Sequence, residues 1–167
     1  MNYNLFVQSI AIIALVIFAL SFHAKTKKNI IIINTISLIM FMIHFYLLQA
    51  WTGVMLTTLN CIIAICLIFR DKNKYIDNKI FLLSSLFILT LVTFFTWEGY
   101  YSVFALLGVC LVIVAKWQQK KIHLRFIFIL ASLSWIIYDY FVGSSGGIIS
   151  VIIIIISLFI SIIRDRR

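Results

Sequence analysis

The sequence predicts an all-α integral membrane protein. Seven transmembrane helices form a 3+1+3 parallel repeat, with the N-terminus outside and the C-terminus cytoplasmic. Three observations predict it. The 167-residue chain is 64% hydrophobic and only 11% charged, whereas soluble domains carry about a quarter charged residues. Its basic residues gather in a few short links. The chain also overlays on itself, without gaps, at a shift of 94 residues.

A membrane helix needs about 20 mostly apolar residues. Such runs fall at 4–22, 29–49, 53–69, 80–96, 100–116, 123–142 and 147–163. No Lys or Arg precedes the first run and no small-x-small cleavage site follows it, so it reads as a retained helix and not a signal peptide. "HAKTKKN" separates spans one and two, and "RDKNKYIDNK" (70–79) separates three and four. "WEGY" (97–100) and "GSSGG" (143–147) read as tight turns. In the second, glycine frees the backbone and Ser144 or Ser145 can cap the last helix.

With seven spans, every basic residue falls on one side. Lys25, Lys27 and Lys28 follow span one. Arg70, Lys72, Lys74 and Lys79 follow span three. Lys116, Lys120, Lys121 and Arg125 follow span five, and Arg164, Arg166 and Arg167 follow span seven. The opposite side has Glu98. The positive-inside rule then places the N-terminus outside. Six spans would scatter the same lysines over both faces. The net charge of +9 is therefore a topology signal, not a nucleic-acid footprint.

At the 94-residue shift Lys27 meets Lys121, Ile33 meets Ile127, Ile43 meets Ile137, Tyr46 meets Tyr140 and Gly53 meets Gly147. "RD" at 70–71 meets "RD" at 164–165. Residues 1–72 form the first three-helix repeat, 80–96 a linker helix, and 100–167 the second repeat, all in one transmembrane domain. Parallel repeats of this kind occur in small transporters, with the solute site between the halves.

"FVQSIAIIALVIFALSF", "HFYLLQAWTG" followed by Asn60, and "WIIYDYFVGSSGGI" with a closing Arg164 resemble the YgjV-type bacterial inner-membrane proteins over nearly the whole chain. That resemblance implies the bacterial cytoplasmic (inner) membrane. The seven-helix plan is similar to the SWEET and PQ-loop carriers. The chain departs from the YgjV pattern in places. Gln49 stands where a glycine follows the "HFxLL" stretch, Ser150 and Val151 where an acid follows "GSxGG", and Tyr138-Asp139 where His-Asn is frequent. Ile63 replaces an arginine. There is no proline, so the proline-hinge motion of SWEET-type carriers is not supported.

Five residues are candidates for binding a solute or ion: Asp139, His44, Asn60, Trp135 and Tyr138. Asp139 carries a charge inside a membrane segment, which is expensive. It lies near the C-terminus of its helix, where a carboxylate also opposes the helix dipole. His44 lies at a similar depth in the other repeat, matched to Tyr138, and a parallel arrangement would let His44 and Asp139 flank one cavity. Asn60 is mid-span, and its amide needs partners away from water. Interhelical bonding is the plainer role for it, as for Asn34, Thr57 and Ser132; Gln8 is a weaker cavity candidate. Trp135 is the deepest tryptophan. Trp51, Trp97, Tyr100, Tyr101, Tyr140 and Trp117 read as interfacial aromatic belts.

Cys61, Cys66 and Cys110 have neither metal-ligand spacing nor a disulfide framework, and no cofactor is implied. No HExxH, GxSxG, Walker or Rossmann motif is present. The expected function is a small-solute secondary carrier or solute-binding inner-membrane protein, not an enzyme. Its cavity would be outward-facing, between the repeats. The alternative is a non-transporting protein that scaffolds, protects or regulates a partner. Expected partners are the bilayer, a small polar solute, and a second copy or another protein; nucleic acid is not expected. A polar cavity between the halves favours the carrier, and a dry, aliphatic interface the alternative.

Overall fold

The computed structural model describes residues 3–165, apart from the side chains of Asp71 and Asp165. Arg166 and Arg167, two of the basic residues counted above, lie outside the described residues. The described chain is all-helical: α1 (Tyr3–Ser21), α2 (Lys27–Leu47), α3 (Trp51–Ile68), α4 (Lys79–Phe95), α5 (Ser102–Trp117), α6 (Lys121–Phe141) and α7 (Ser145–Asp165), with a 3-10 turn at Arg70–Lys72. Each predicted span is a helix. Five of them (α1, α2, α3, α6 and α7) are long and apolar enough to cross a membrane, while α4 and α5 are shorter, at 17 and 16 residues. At 1.5 Å per residue these two reach roughly 25 Å, against a hydrocarbon core of about 30 Å.

Local chemistry sets the helix ends. Thr26 accepts from the Asn29 N–H to cap α2, and Asn78 accepts from the Ile80 N–H to cap α4. α2 and α6 both end on a left-handed residue, Gln49 (φ 58°) and Gly143 (φ 72°). This explains why a glycine suits the position that Gln49 occupies.

The helices pack as a closed ring in the order α1, α2, α3, α5, α6, α7 and back to α1; α4 lies outside it against α3 and α5. The ends of the ring can be called upper, where α2–α3, α4–α5 and α6–α7 join, and lower. The surface is inside-out relative to a soluble protein. Phe94, Phe95, Ile152 and Ile156 are exposed, while Arg125, Lys116 and Asp139 are buried. Phe18, Phe22 and Phe128 meet edge-on at 5.1–5.8 Å between centroids in the lower core.

Two basic residues correct the sequence reading. Lys116 and Arg125 are not loop charges: they lie inside α5 and α6, at 1% and 0% exposure. The Arg125 guanidinium donates to the Phe22 carbonyl (2.9 Å) and the Ser161 carbonyl (3.2 Å). Other cations hold helix C-termini. Arg70 donates to the Trp117 carbonyl and pairs with Asp77 at 2.6 Å, and Arg164 donates to the His23 carbonyl at 3.3 Å. These positions suit the negative ends of helix dipoles. The last helix is also less uniformly apolar than it reads in sequence. Ser150, Ser157 and Ser161 donate to the carbonyls of Ala11, Ala19 and Phe22, making a small-residue seam between α7 and α1.

Candidate functional site

A cavity of about 70 Å³ lies on the axis of the ring. At about 10–15 Å³ per water it has room for several waters or a few ligand atoms. All six ring helices line it and α4 does not. Its walls come mostly in pairs at the 94-residue spacing: Phe18 with Val112, Leu38 with Ser132, Phe41 with Trp135, Phe45 with Asp139, Thr57 with Val151, and Asn60 with Ile154. The lining is mainly apolar, with Asp139, Asn60, Thr57 and Ser132 as its polar groups. Of the five candidates, the structure brings Asp139, Asn60 and Trp135 to the cavity. His44 and Tyr138 stand outside its lining.

Asp139 is not an interfacial acid hydrated from outside; it is 3% exposed. Its carboxyl lies against the first turn of α7, so close to Gly147 that a Cβ there would come within 2.6 Å of the carboxyl carbon. Only glycine lets α7 approach. The dipole at the N-terminus of α7 therefore offsets the unfavourable dipole of Asp139's own helix. The Asp139 Oδ1 is buried with no hydrogen-bond partner in the structure.

His44 does not touch Asp139 through a hydrogen bond; Ser144 stands between them. The His44 Nδ1 lies 2.9 Å from the Val7 carbonyl oxygen and its Nε2 lies 2.8 Å from the Ser144 Oγ. A carbonyl only accepts, so Nδ1 carries the proton, and in the neutral ring Nε2 accepts from the serine hydroxyl. Ser144 in turn accepts from the Gly147 N–H at 3.1 Å and so caps α7. The order serine–imidazole–acceptor is that of an activated nucleophile. Here the hydroxyl is fully buried, engaged as a cap, and outside the cavity lining. Gln8 completes this corner by accepting from the Gly146 N–H at 2.7 Å.

Tyr138 performs the matching task across the ring. Its Oη accepts from the Gly53 N–H at 2.8 Å and donates to the Glu98 Oε2 at 3.2 Å. The other Glu98 oxygen accepts from the Trp51 N–H at the start of α3. Trp135 stacks on Phe45 at 5.7 Å and packs against Gly108, where a Cβ would meet its ring nitrogen at 2.8 Å.

Toward the lower end, the Lys116 Nζ donates to the Asn60 Oδ1 at 3.1 Å, and both residues are buried. Asn34 is also wholly buried, with neither amide atom hydrogen-bonded. Sequence reasoning missed Lys116 because it sits next to a polar link and looks like a topology charge. It missed the meaning of Ser144 and Glu98 because a cap and a loop acid carry no long-range signal. Among the described residues, no group of three or more His, Cys, Asp or Glu could hold a metal ion.

No curated protein and no solved structure matches the chain. A family of bacterial inner membrane proteins, Imp-YgjV, matches residues 5–167. Nearly the whole helical ring falls within that match, so the chain belongs to the Imp-YgjV family and is a bacterial inner membrane protein.

Proposed function

We propose that the protein binds and carries a small polar solute in the central cavity, as a secondary carrier with no enzymatic step. One observation carries this reading. A buried acid with an unsatisfied Oδ1 lines a cavity built by all six ring helices. A buried polar atom left without a partner costs about 1–3 kcal/mol, and a bound solute donor or water in the cavity would offset it.

The finer architecture is part of the same proposal: seven spans, N-terminus outside, and two parallel three-helix repeats. Paired contacts support the repeat. Arg70 reaches the Trp117 carbonyl as Arg164 reaches the His23 carbonyl. Gln8 meets Gly146 as Ser102 meets Thr52. His44 and Tyr138 each cross to the N-terminus of the other half's third helix. All of these pairs obey the 94-residue spacing or lie within three residues of it. A cavity on such an axis can open to alternate sides by rocking one half on the other. The mainly apolar lining favours a second reading, a scaffold with no cargo, whose cavity would stay dry.

The test is a thermal-shift screen of small polar solutes on purified protein, with Asp139→Asn alongside. The expected result is stabilisation of the wild type by at least one solute, lost in a variant that folds normally. A response that survives in Asp139→Asn would sink the assignment of that residue.

A further inference from the structure

The polar groups of the cavity are arranged by charge, and the lower one has a cation behind it. A lysine ammonium can only donate, so the Asn60 amide must turn its oxygen to Lys116. The Asn60 Nδ2 is then the amide's remaining donor, on a residue that lines the cavity wall. Lys116 lies one helical turn below Val112, which also lines the cavity. Among the described residues, the Asn60 Oδ1 is the hydrogen-bond partner of the Lys116 Nζ. Protonated, Lys116 has three donors, and with no salt-bridge partner among the described residues it leaves a positive field at that end.

A second, independent observation lies at the depth of Lys116: Asn34 stands thirteen residues below the upper end of α2, and Lys116 fourteen below the upper start of α5. Asn34, wholly buried and unpartnered, occupies the position in α2 that Phe128 occupies in α6 at the 94-residue spacing, and Phe128 lines the cavity. By the same spacing Lys116 corresponds to Phe22, whose ring meets Phe128 at 5.1 Å. Spare amide and ammonium donors thus collect at one level, while the upper level presents the Asp139 carboxyl.

We infer that the cavity takes a short zwitterion, its ammonium on Asp139 and its carboxylate on Asn60, with Lys116 as the positioning cation behind that amide. The inference rests on the solute-binding reading above and deepens it. Among the described residues, Lys116 and Asp139 form no salt bridge with each other, so a ligand of opposed polarity answers both at once. Asn60 lies nine residues below the upper start of α3 at Trp51, and Asp139 two residues below the upper end of α6 at Phe141, a difference of seven. Seven residues of helix make that about 10 Å. A hydrogen bond of about 3 Å at each end leaves roughly 4–5 Å between the ligand's charged atoms. That is the span of an unbranched amino acid with two or three carbons between its charges.

The probes are glycine, β-alanine, 4-aminobutyrate and 5-aminovalerate, with butylamine and butyrate as single-charge controls. Each is titrated onto wild-type protein in nanodiscs, and onto Lys116→Gln and Asp139→Asn, with ligand-free melting as the folding check. Gln removes the charge and carries an amide donor one bond shorter than the lysine. Lys116→Arg, which restores the charge, guards against a folding defect in the Gln variant.

The expected result is tightest binding by β-alanine or 4-aminobutyrate. Lys116→Gln should weaken it about tenfold or more while leaving butylamine binding unchanged, and Lys116→Arg should recover part of the loss. A wild type that binds butylamine as well as 4-aminobutyrate would overturn the lower subsite and leave the Asp139 reading standing. Equal zwitterion binding by Lys116→Gln and wild type would overturn the role of Lys116. No response to any probe would overturn the zwitterion inference, while binding of an uncharged solute in the wider screen would still uphold the solute-binding reading.

Discussion

At the scale of single residues, backbone geometry separates two matched positions. Gln49 and Gly143 end α2 and α6 in the left-handed region, where a side chain costs about 1–2 kcal/mol. A Cβ on Gly143 would meet nothing within 4 Å, so only the backbone term acts there. Gln49→Gly should raise stability by about 1 kcal/mol and Gly143→Ala should lower it by a similar amount, both read by thermal unfolding in detergent. Ser144 has a larger task. It caps α7 and takes the free nitrogen of His44. Ser144→Ala should cost about 1–2 kcal/mol in the same measurement, whereas a neutral result would show that water replaces both bonds. Gln49 was legible in sequence as a departure from a glycine position. The bridge through Ser144 was not, because nothing in "GSSGG" points to a histidine a hundred residues earlier.

At the scale of elements, the α1–α7 seam shows how serines hold two apolar helices together where the hydrophobic effect gives no drive. The seam ends at His23, in the link between α1 and α2, whose Nε2 lies 3.0 Å from the Ser157 Oγ. Burial pushes the His23 imidazole below its usual 6.5, and the nearby Arg164 and Arg125 push it further down. The folded protein therefore binds fewer protons here than the unfolded chain. The stability from neutral His23 is fully present above about pH 6.5 and is lost as pH falls through that value toward the lowered folded one. Melting temperature should drop on acidification across this window, and His23→Gln should flatten the drop. An unchanged pH profile in that variant would show that His23 is not responsible. The seam was not legible in sequence, because Ser150, Ser157 and Ser161 stand in an isoleucine-rich run that reads as apolar, and its partner helix was hidden too, since α1 and α7 stand at opposite ends of the chain.

At the scale of the whole molecule, the ring closes because α7 returns to α1 as α3 meets α5. The proposed orientation places the Lys-rich lower end in the cytoplasm. It can be read by labelling single cysteines, at Tyr100→Cys in the α4–α5 link and Lys74→Cys in the α3–α4 link, after Cys61, Cys66 and Cys110 are replaced. In intact spheroplasts an impermeant maleimide should label the first, and should reach the second only after permeabilisation. The reverse pattern would invert the orientation. Equal labelling of both would end the reading of α4 as a span.

The sequence by itself determined where the helices lie, because an apolar run whose backbone bonds close within itself is a local matter. It also determined which links carry the basic residues, and that Asp139, Asn60 and Trp135 are unusual in an apolar interior. Only the tertiary structure decided which of them meet. The helices are apolar on nearly every face, so periodicity does not reveal how each is turned. The rotation of α5 makes Lys116 a buried partner of Asn60, and the approach of α7 puts Ser144 between His44 and Asp139. Those contacts join residues about 55 to 100 positions apart, and long-range packing alone brings them together.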